Sequence, residues 1–157
     1  MRALETLSHK QRRATPPGFA MFLLTLVAKV CGRGPVASQW VEEDTVYRNF
    51  PHVDPWPASR DAYRWPGGMP IVAHPPCGPW GNYRSVNKES KDHGAQAMDY
   101  VHRFGGVVEH PVGSSLFESL GAGGRIIVVD QGNFGHLAQK RTKLYVCRPG
   151  QCKRLFN

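Results

Sequence analysis

A short apolar run that ends in two consecutive prolines constrains the fold of this chain more than any other feature. The run Met69–Ala73 is followed by His74, Pro75, Pro76 and Cys77. Such a run is typical of a buried strand, and the proline pair ends it because proline fixes φ and lacks a backbone donor. Ligands of open α/β sheets bind at the carboxyl ends of strands, so the stiffly presented Cys77 is a candidate nucleophile. A buried structural thiol is the alternative.

Segments with strand and helix patterns alternate along the rest of the chain. Phe19–Val30 predicts a buried strand or helix, and His93–Phe104 has apolar residues at helical spacing before a Gly-Gly stop. Further strands are predicted at three β-branched or aromatic stretches: Val107–Val108, Ile126–Val129 and Lys143–Cys147. The alternation predicts an α/β fold, a single Rossmann-like domain with a mostly parallel sheet and flanking helices.

Length and charge indicate one globular domain with an anionic partner. The chain has 157 residues, of which 41% are hydrophobic and 20% charged, a composition that favours a folded domain over disorder. Residues 1–17 are predicted to be a basic extension and residues 18–157 the domain. The formal net charge is +8, and no acidic residue occurs from Lys140 to Asn157. This distribution favours nucleic acid as the partner, and a solubilising charge bias is the alternative.

Cysteine usage and hydropathy predict a cytoplasmic protein. Four cysteines are too few and too scattered for a disulfide scaffold, which favours free thiols in a reducing cytosol. The apolar stretch Phe19–Val30 is too short to span a membrane and contains Lys29, so no membrane partner is expected. No metal is predicted. The alternative is an imperfectly spaced metal site drawn from His74, Cys77, His110, His136, Cys147 and Cys152.

Three of the predicted strands carry residues that could act together in catalysis. The strand Met69–Ala73 is followed by Cys77, and the strand at Val107–Val108 runs into Glu109 and His110. The strand Lys143–Cys147 follows a basic turn, Gln139–Lys143. A thiol, a carboxylate and a guanidinium at neighbouring strand ends can support nucleophilic attack with proton transfer. Glu109 as a structural ion-pair partner and the basic turn as a solvated loop are the alternatives.

In order and type, these elements resemble the catalytic core of the C5 cytosine DNA methyltransferases. Pro75-Pro76-Cys77 matches the Pro-Pro-Cys that ends a strand in that family, and Glu109-His110 stands where the family has Glu-Asn. The run Gln139-Lys140-Arg141-Thr142-Lys143 is similar to the family's Gln-x-Arg-x-Arg element. The likeness covers about residues 41–147 and makes the predicted domain methyltransferase-like.

The resemblance implies an enzyme that methylates cytosine in DNA. The thiolate of Cys77 attacks C6 of an extruded base, Glu109 pairs with the base edge near N3 and N4, and Arg141 holds the base or its phosphate. Substrate contacts are also implied for Pro76, His110, Gln139 and Lys143. The implied methyl donor is S-adenosylmethionine, and the acidic residues similar to those on the family's cofactor side are Glu43, Asp44 and Asp61.

Differences from the family keep a second function open. Val30–Gly34 stands in place of the Gly-rich cofactor loop, His110 replaces an Asn, and Lys143 replaces an Arg that could form a bidentate fork. The region that would hold a target-recognition domain has no counterpart, so a separate recognition subunit or host protein is an expected partner. The alternative function is a non-catalytic nucleic-acid-binding or inhibitory accessory protein of a phage or mobile element on the same scaffold.

Overall fold

One six-stranded sheet organises the part of the chain that the structure, a computed structural model, describes: residues 14–82 and 84–152. The helices of these residues are α1 (Pro17–Cys31), α2 (Asp92–Phe104) and α3 (Leu116–Leu120). The strands are β1 (Val36–Val41), β2 (Val53–Pro57), β3 (Ile71–Ala73), β4 (Gly106–Pro111), β5 (Arg125–Asp130) and β6 (Arg141–Cys147). The predicted helix His93–Phe104 is confirmed as α2, and Phe19–Val30 lies within α1.

The sheet is mixed, so the predicted mostly parallel, Rossmann-like sheet is wrong. The strand order is β2-β1-β3-β4-β6-β5. The pairs β2–β1, β1–β3 and β3–β4 are parallel, whereas β6 is antiparallel to both β4 and β5. Asp130 pairs with Arg141 across the last two strands, and only a short 3-10 helix, Gln131–Phe134, and the loop of residues 135–140 lie between them. A connection this short joins antiparallel strands, because a parallel pair needs a long crossover.

Two apolar layers cover the two faces of the sheet. On one face α1 packs through Phe19, Leu23 and Val27 against Val72 and Val107, all of which are fully buried. On the other face α2 packs against a second cluster, whose strand residues are Ala37, Trp56, Ile71, Ala73, Val108, Tyr145 and Cys147. Successive residues of a strand point to opposite faces. Along β4, Glu109 therefore continues the face of Val107 and His110 the face of Val108.

The first two strands lack the pattern that would have predicted them from sequence. Ser38 and Gln39 interrupt the apolar run of β1, although both are fully buried. The second strand contains Pro55 and Pro57, which cannot donate to a neighbouring strand. Proline is tolerated there because β2 is the edge of the sheet.

Two of the four cysteines are joined, which corrects the expectation of four free thiols. Cys147 and Cys152 form a disulfide with a Cα–Cα distance of 6.0 Å, and Cys31 and Cys77 are free. Among residues 14–82 and 84–152, no helix has the length and apolar character needed to cross a membrane. The predicted extension, residues 1–17, lies mostly outside the described residues, and α1 begins at its last residue.

Candidate active site

The carboxyl ends of the parallel strands open into one cavity of about 950 Å³. Its lining includes Cys77 and Pro76 from the loop after β3 and Glu109 and His110 from β4. The predicted juxtaposition of Cys77 with Glu109 is therefore present, because β3 and β4 are adjacent and parallel.

The loop that carries Cys77 is fixed from both sides. The carbonyl of Cys77 accepts a hydrogen bond from the amide of Trp80 at 3.0 Å, which closes a short 3-10 helix, Gly78–Trp80. The carbonyl of Pro75 accepts a hydrogen bond from Nε2 of His110 at 2.9 Å. The side chain of Cys77 is exposed, so the thiol is accessible to a molecule in the cavity.

His110 supports this loop and has no ring nitrogen left for a substrate. The carbonyl of Pro75 can only accept, so Nε2 carries the proton, and Nδ1 accepts from the hydroxyl of Ser114 at 2.7 Å. Burial lowers the pKa of His110, which favours this neutral form. The predicted substrate contact at His110 is accordingly placed behind the loop rather than free in the cavity.

Glu109 is a buried carboxylate with hydrogen-bond donors on both oxygens. Oε2 lies 3.1 Å from Nδ1 of His74, while Oε1 lies 3.2 Å from both Nε2 of Gln131 and Oγ1 of Thr142. Burial raises the pKa of Glu109, but the hydrogen bond and charge of His74 and the charge of Lys140 outweigh it and hold the pKa at about 2. At neutral pH the cavity therefore contains a fixed negative charge at this position.

His74 joins Glu109 to a buried tyrosine. Its Nε2 lies 2.9 Å from the hydroxyl of Tyr47, which is fully buried. Burial, together with the charge of Glu109, raises the pKa of Tyr47 well above 10, so the phenol stays protonated and has a proton to donate to a ring nitrogen. Both nitrogens of His74 are engaged by Tyr47 and Glu109. The arrangement therefore differs from a Cys–His dyad, in which an imidazole nitrogen is free to deprotonate the thiol.

The predicted basic turn reaches the cavity through a different residue from those expected. Arg141 is exposed at the start of β6, and Lys143 points to the opposite face, where Nζ donates to the carbonyl of Ser114 at 2.6 Å and to Glu118 at 2.7 Å. Lys140 lines the cavity instead. Gln139 interacts with the carboxylate of Asp130, on the neighbouring strand β5.

The acidic residues predicted on the cofactor side are only partly in the cavity. Asp44 and Asp61 line it, and so does Glu42, the neighbour of Glu43 in the same acidic stretch. Glu43 is not part of the lining, because its two carboxylate oxygens accept from the amide and hydroxyl of Ser59 at 3.0 and 2.9 Å. These carboxylates make one end of the cavity acidic in a chain whose overall charge is strongly positive.

An aromatic wall stands beside the acidic end. Trp40 donates through Nε1 to Nδ1 of His93 at 3.1 Å, and the ring of Tyr63 lies 5.4 Å from that of His93. Trp40 has a φ of +53° and Asp61 a φ of +60°, the two positive values among the non-glycine residues of the described chain, and both line the cavity. Such strained backbone is concentrated at functional sites in proteins, because the surrounding structure must hold it.

The stretch that stands for the family's Gly-rich loop lies at the other end of the sheet. Gly32 ends α1, and Gly34 and Pro35 lead into the amino end of β1. These residues line a separate cavity of about 490 Å³ together with His52, which precedes β2. Val30–Gly34 therefore cannot contact a ligand beside Cys77.

The metal alternative finds no support in the described residues. No group of three or more His, Cys, Asp or Glu side chains there could hold a metal ion. Cys147 and Cys152 are joined to each other, and the ring nitrogens of His74 and His110 are already engaged.

Several residues of the site were given no catalytic or substrate-binding role from the sequence: Tyr47, His74, Lys140, Gln131 and Thr142. A usable signal exists for two of them. Both are polar residues that directly follow a strand: His74 follows β3, and Gln131 follows β5. The carboxyl ends of strands that run in the same direction lie at one edge of the sheet, so this position predicts a shared site.

Comparison of the chain with protein-family models, with curated proteins and with solved structures finds no match. The function must therefore be argued from the residues and geometry of the cavity.

Proposed function

We propose that this protein is a cytosine-5 methyltransferase-like enzyme that acts on a cytosine base in DNA through a covalent bond to Cys77. The single observation that carries the proposal is that an accessible thiol and an ionised, buried carboxylate line one cavity from neighbouring strand ends. The order of the motifs along the chain also resembles the order found in the C5 cytosine DNA methyltransferases. The thiol and the carboxylate together suit attack on cytosine, because this base is a poor electrophile that needs both a strong nucleophile and a positioned polar partner.

The roles of the residues follow from their chemistry. The Cys77 thiolate forms a bond to C6, and the electron pair of the C5–C6 double bond moves onto C5 and the ring. The carboxylate of Glu109 accepts a hydrogen bond from the exocyclic amine, because it is ionised and cannot donate. Lys140, a cation of the lining, supplies a hydrogen-bond donor for the ring oxygen or nitrogen that gains charge. Once C5 carries a methyl group, its proton passes to water and the electron pair of the C5–H bond re-forms the C5–C6 double bond. The C6–S bond then breaks with its electron pair on sulfur, which releases the product and restores the Cys77 thiolate.

The acidic and aromatic end of the cavity fits S-adenosylmethionine as methyl donor. Its sulfonium and amine are cationic and its ribose presents hydroxyls, which complement carboxylates such as Glu42 and Asp61, and its adenine ring can pack against Trp40 or Tyr63. When bound, this cofactor supplies the methyl group for C5. Because Val30–Gly34 lies at the other end of the sheet, side chains of the cavity rather than that stretch would hold the cofactor.

The basic surface fits the phosphate backbone of the nucleic acid. Arg84 and Lys88 lie in the exposed loop that follows Cys77, and Arg141 is exposed beside the cavity residue Lys140. A duplex base must be extruded before it can enter a cavity, and cations around the mouth would hold the flanking phosphates.

A covalent trapping experiment tests the proposal. An oligonucleotide that contains 5-azacytosine, in which a ring nitrogen replaces C5–H and makes C6 more electrophilic, is incubated with the protein in single-stranded and duplex form. We expect a covalent complex on denaturing electrophoresis, with the label mapped to Cys77 by mass spectrometry. Cys77→Ser should abolish it, because a hydroxyl is a far weaker nucleophile than a thiolate. Cys31→Ser, which removes the other free thiol, is the matched control and should trap normally.

The outcome of this experiment also distinguishes the enzyme from the alternative function, a non-catalytic nucleic-acid-binding protein. The position of Val30–Gly34 away from the cavity favours a non-catalytic nucleic-acid-binding protein on the same scaffold. Such a protein would bind oligonucleotides with a strong salt dependence, about 0.9 log units of affinity per neutralised phosphate per log unit of salt, and would form no adduct. Binding without any adduct, with or without S-adenosylmethionine, would replace the enzyme by this alternative.

A further inference from the structure

His74 is a residue of the cavity to which neither the motifs nor the proposed chemistry gives a role. It directly follows β3 and lies three positions before Cys77 in the same loop. Its imidazole is bound at both ends, by the hydroxyl of Tyr47 at 2.9 Å and by Oε2 of Glu109 at 3.1 Å. The three side chains form a chain that begins at a fully buried phenol and ends at a carboxylate that lines the same cavity as the Cys77 thiol.

The direction of each hydrogen bond in this chain is determined by its ends. An ionised Glu109 can only accept, so Nδ1 of His74 donates to it. When the imidazole carries a single proton, that proton is on Nδ1, and Nε2 has a lone pair that accepts the proton of the Tyr47 hydroxyl. The second partner of a histidine sets its tautomer, so Tyr47 fixes the form of His74 that can donate to Glu109.

The carboxylate depends on this donor because the other two donors bind its other oxygen. Gln131 and Thr142 both contact Oε1, whereas His74 is the hydrogen-bond partner of Oε2 in the described residues. A buried carboxylate that loses a donor must either pay for desolvation or take up a proton.

We propose that His74 is the positioning residue of this site: held by Tyr47, it keeps Glu109 as a fixed carboxylate acceptor in the Cys77 cavity, and the site thereby prefers a ring that carries an amino group to one that carries a carbonyl at the same place. The second half of this inference rests on the proposed function, because it takes the ligand to be a nucleobase. The first half does not, because it concerns the ionisation of Glu109 in the free protein.

The groups that set the charge of Glu109 come from every element packed around it. They are His74 after β3, His110 on β4, Lys140 before β6 and Tyr47 on the 3-10 helix Val46–Asn49, with uncharged Gln131 and Thr142 beside them. Lys140 and His110 remain when His74 is replaced, so a change in the ionisation of Glu109 on replacement is assigned to His74. Asn at this position restores a donor without a charge, so rescue by Asn assigns the change to the hydrogen bond.

Titration of the carboxyl group tests the first half directly. The side-chain ¹³C signal of Glu109 is identified in labelled protein by its loss in Glu109→Gln and is followed from pH 7 to pH 4. In the wild type it should remain ionised throughout. In His74→Phe, which keeps a ring but no donor, it should be more than half protonated at pH 4. In His74→Asn, whose amide nitrogen can replace Nδ1, it should again be ionised.

Tyr47→Phe is the second variant, and it keeps the test decisive where His74→Phe does not fold. It removes one hydroxyl and leaves the ring, so the imidazole is free to adopt the other tautomer and the Glu109 signal should begin to titrate at a higher pH than in the wild type. The positioning role would be overturned if the Glu109 titration were unchanged in both Tyr47→Phe and His74→Phe. It would also be overturned if Glu109 titrated in His74→Asn as it does in His74→Phe.

Competition between bases tests the second half. Formation of the 5-azacytosine adduct is measured in the presence of unlabelled oligonucleotides that differ only in cytosine or uracil at the target position. We expect cytosine to compete better than uracil by about tenfold or more in the wild type and in His74→Asn, and the preference to disappear in His74→Phe. Equal competition in the wild type refutes the selectivity. If the wild type forms no adduct at all, the proposed function fails, while the titration still decides the role of His74.

Discussion

Glu109 should make the stability of this protein unusually sensitive to mild acid. Its pKa is lowered from 4.5 to about 2 in the folded protein. A carboxyl whose pKa is lowered by folding contributes stability that is complete above its unfolded value and is lost as the pH falls towards its folded value. The contribution should therefore be full at neutral pH and should decline below about pH 5.

The size of the effect follows from these two values. At about 1.36 kcal/mol per pKa unit, the whole contribution is about 3 kcal/mol. Because only the unfolded chain takes up the proton between pH 5 and pH 3, about 2 kcal/mol of the free energy of unfolding should be lost in that interval through this one group. Such a loss is a large fraction of the stability of a domain of this size.

Urea denaturation of the wild type and of Glu109→Gln at a series of pH values between 3 and 7 measures the effect. Other carboxyl groups titrate in both proteins, so the difference between the two curves isolates Glu109. We expect that difference to change by about 2 kcal/mol between pH 5 and pH 3. Glu42→Gln, which removes an exposed carboxyl from the same cavity, should keep the wild-type dependence. A Glu109→Gln curve parallel to that of the wild type would refute the buried, hydrogen-bonded carboxylate.

Two further predictions concern the sheet and the basic turn. Gly106→Ala should destabilise the protein by at least about 2 kcal/mol in urea denaturation, since Gly106 has a φ of +121° and a methyl group there would collide with the backbone of Ile71 in β3. Gly135→Ala, at a φ of +94° with no atom within 4 Å, should cost less, and equal losses would contradict the collision. Lys143→Met should lower stability by about 1–3 kcal/mol but leave the rate of adduct formation at Cys77 unchanged, since its ammonium binds Ser114 and Glu118. A large loss of adduct formation in the folded variant would restore Lys143 as a substrate contact.

Local sequence was sufficient where an element depends on its own residues. The helical spacing of Ala97, Met98 and Val101 and the Gly-Gly stop predicted α2 to within a residue at its amino end. The proline pair after Met69–Ala73 predicted the end of a strand and an accessible Cys77. Each of these features depends on backbone restrictions or periodicity that act within a few residues.

Prediction was weaker where several chemically similar residues lie close together. The basic turn offered Gln139, Lys140, Arg141 and Lys143, and the motif favoured all but Lys140, which is the one that lines the cavity. Lys143 lies within β6, and its register opposite His110 directs its ammonium to Ser114, whereas Lys140 lies just before the strand and lines the cavity. Register is set by pairing with β4 and β5, which the local sequence does not contain.

The sequence by itself determined α2, most of the strands and the candidate pair Cys77 and Glu109, because these follow from short-range patterns. It left α1 open between helix and strand and did not predict α3. Only the tertiary structure decided the direction of β6, the hydrogen-bonded chain from Tyr47 through His74 to Glu109, and the ionised state of that carboxylate. Strand direction depends on which strands pair, and a pKa depends on burial and on partners that lie far apart in the chain. Tyr47, His74, Glu109 and Thr142 are brought together only when the sheet is complete.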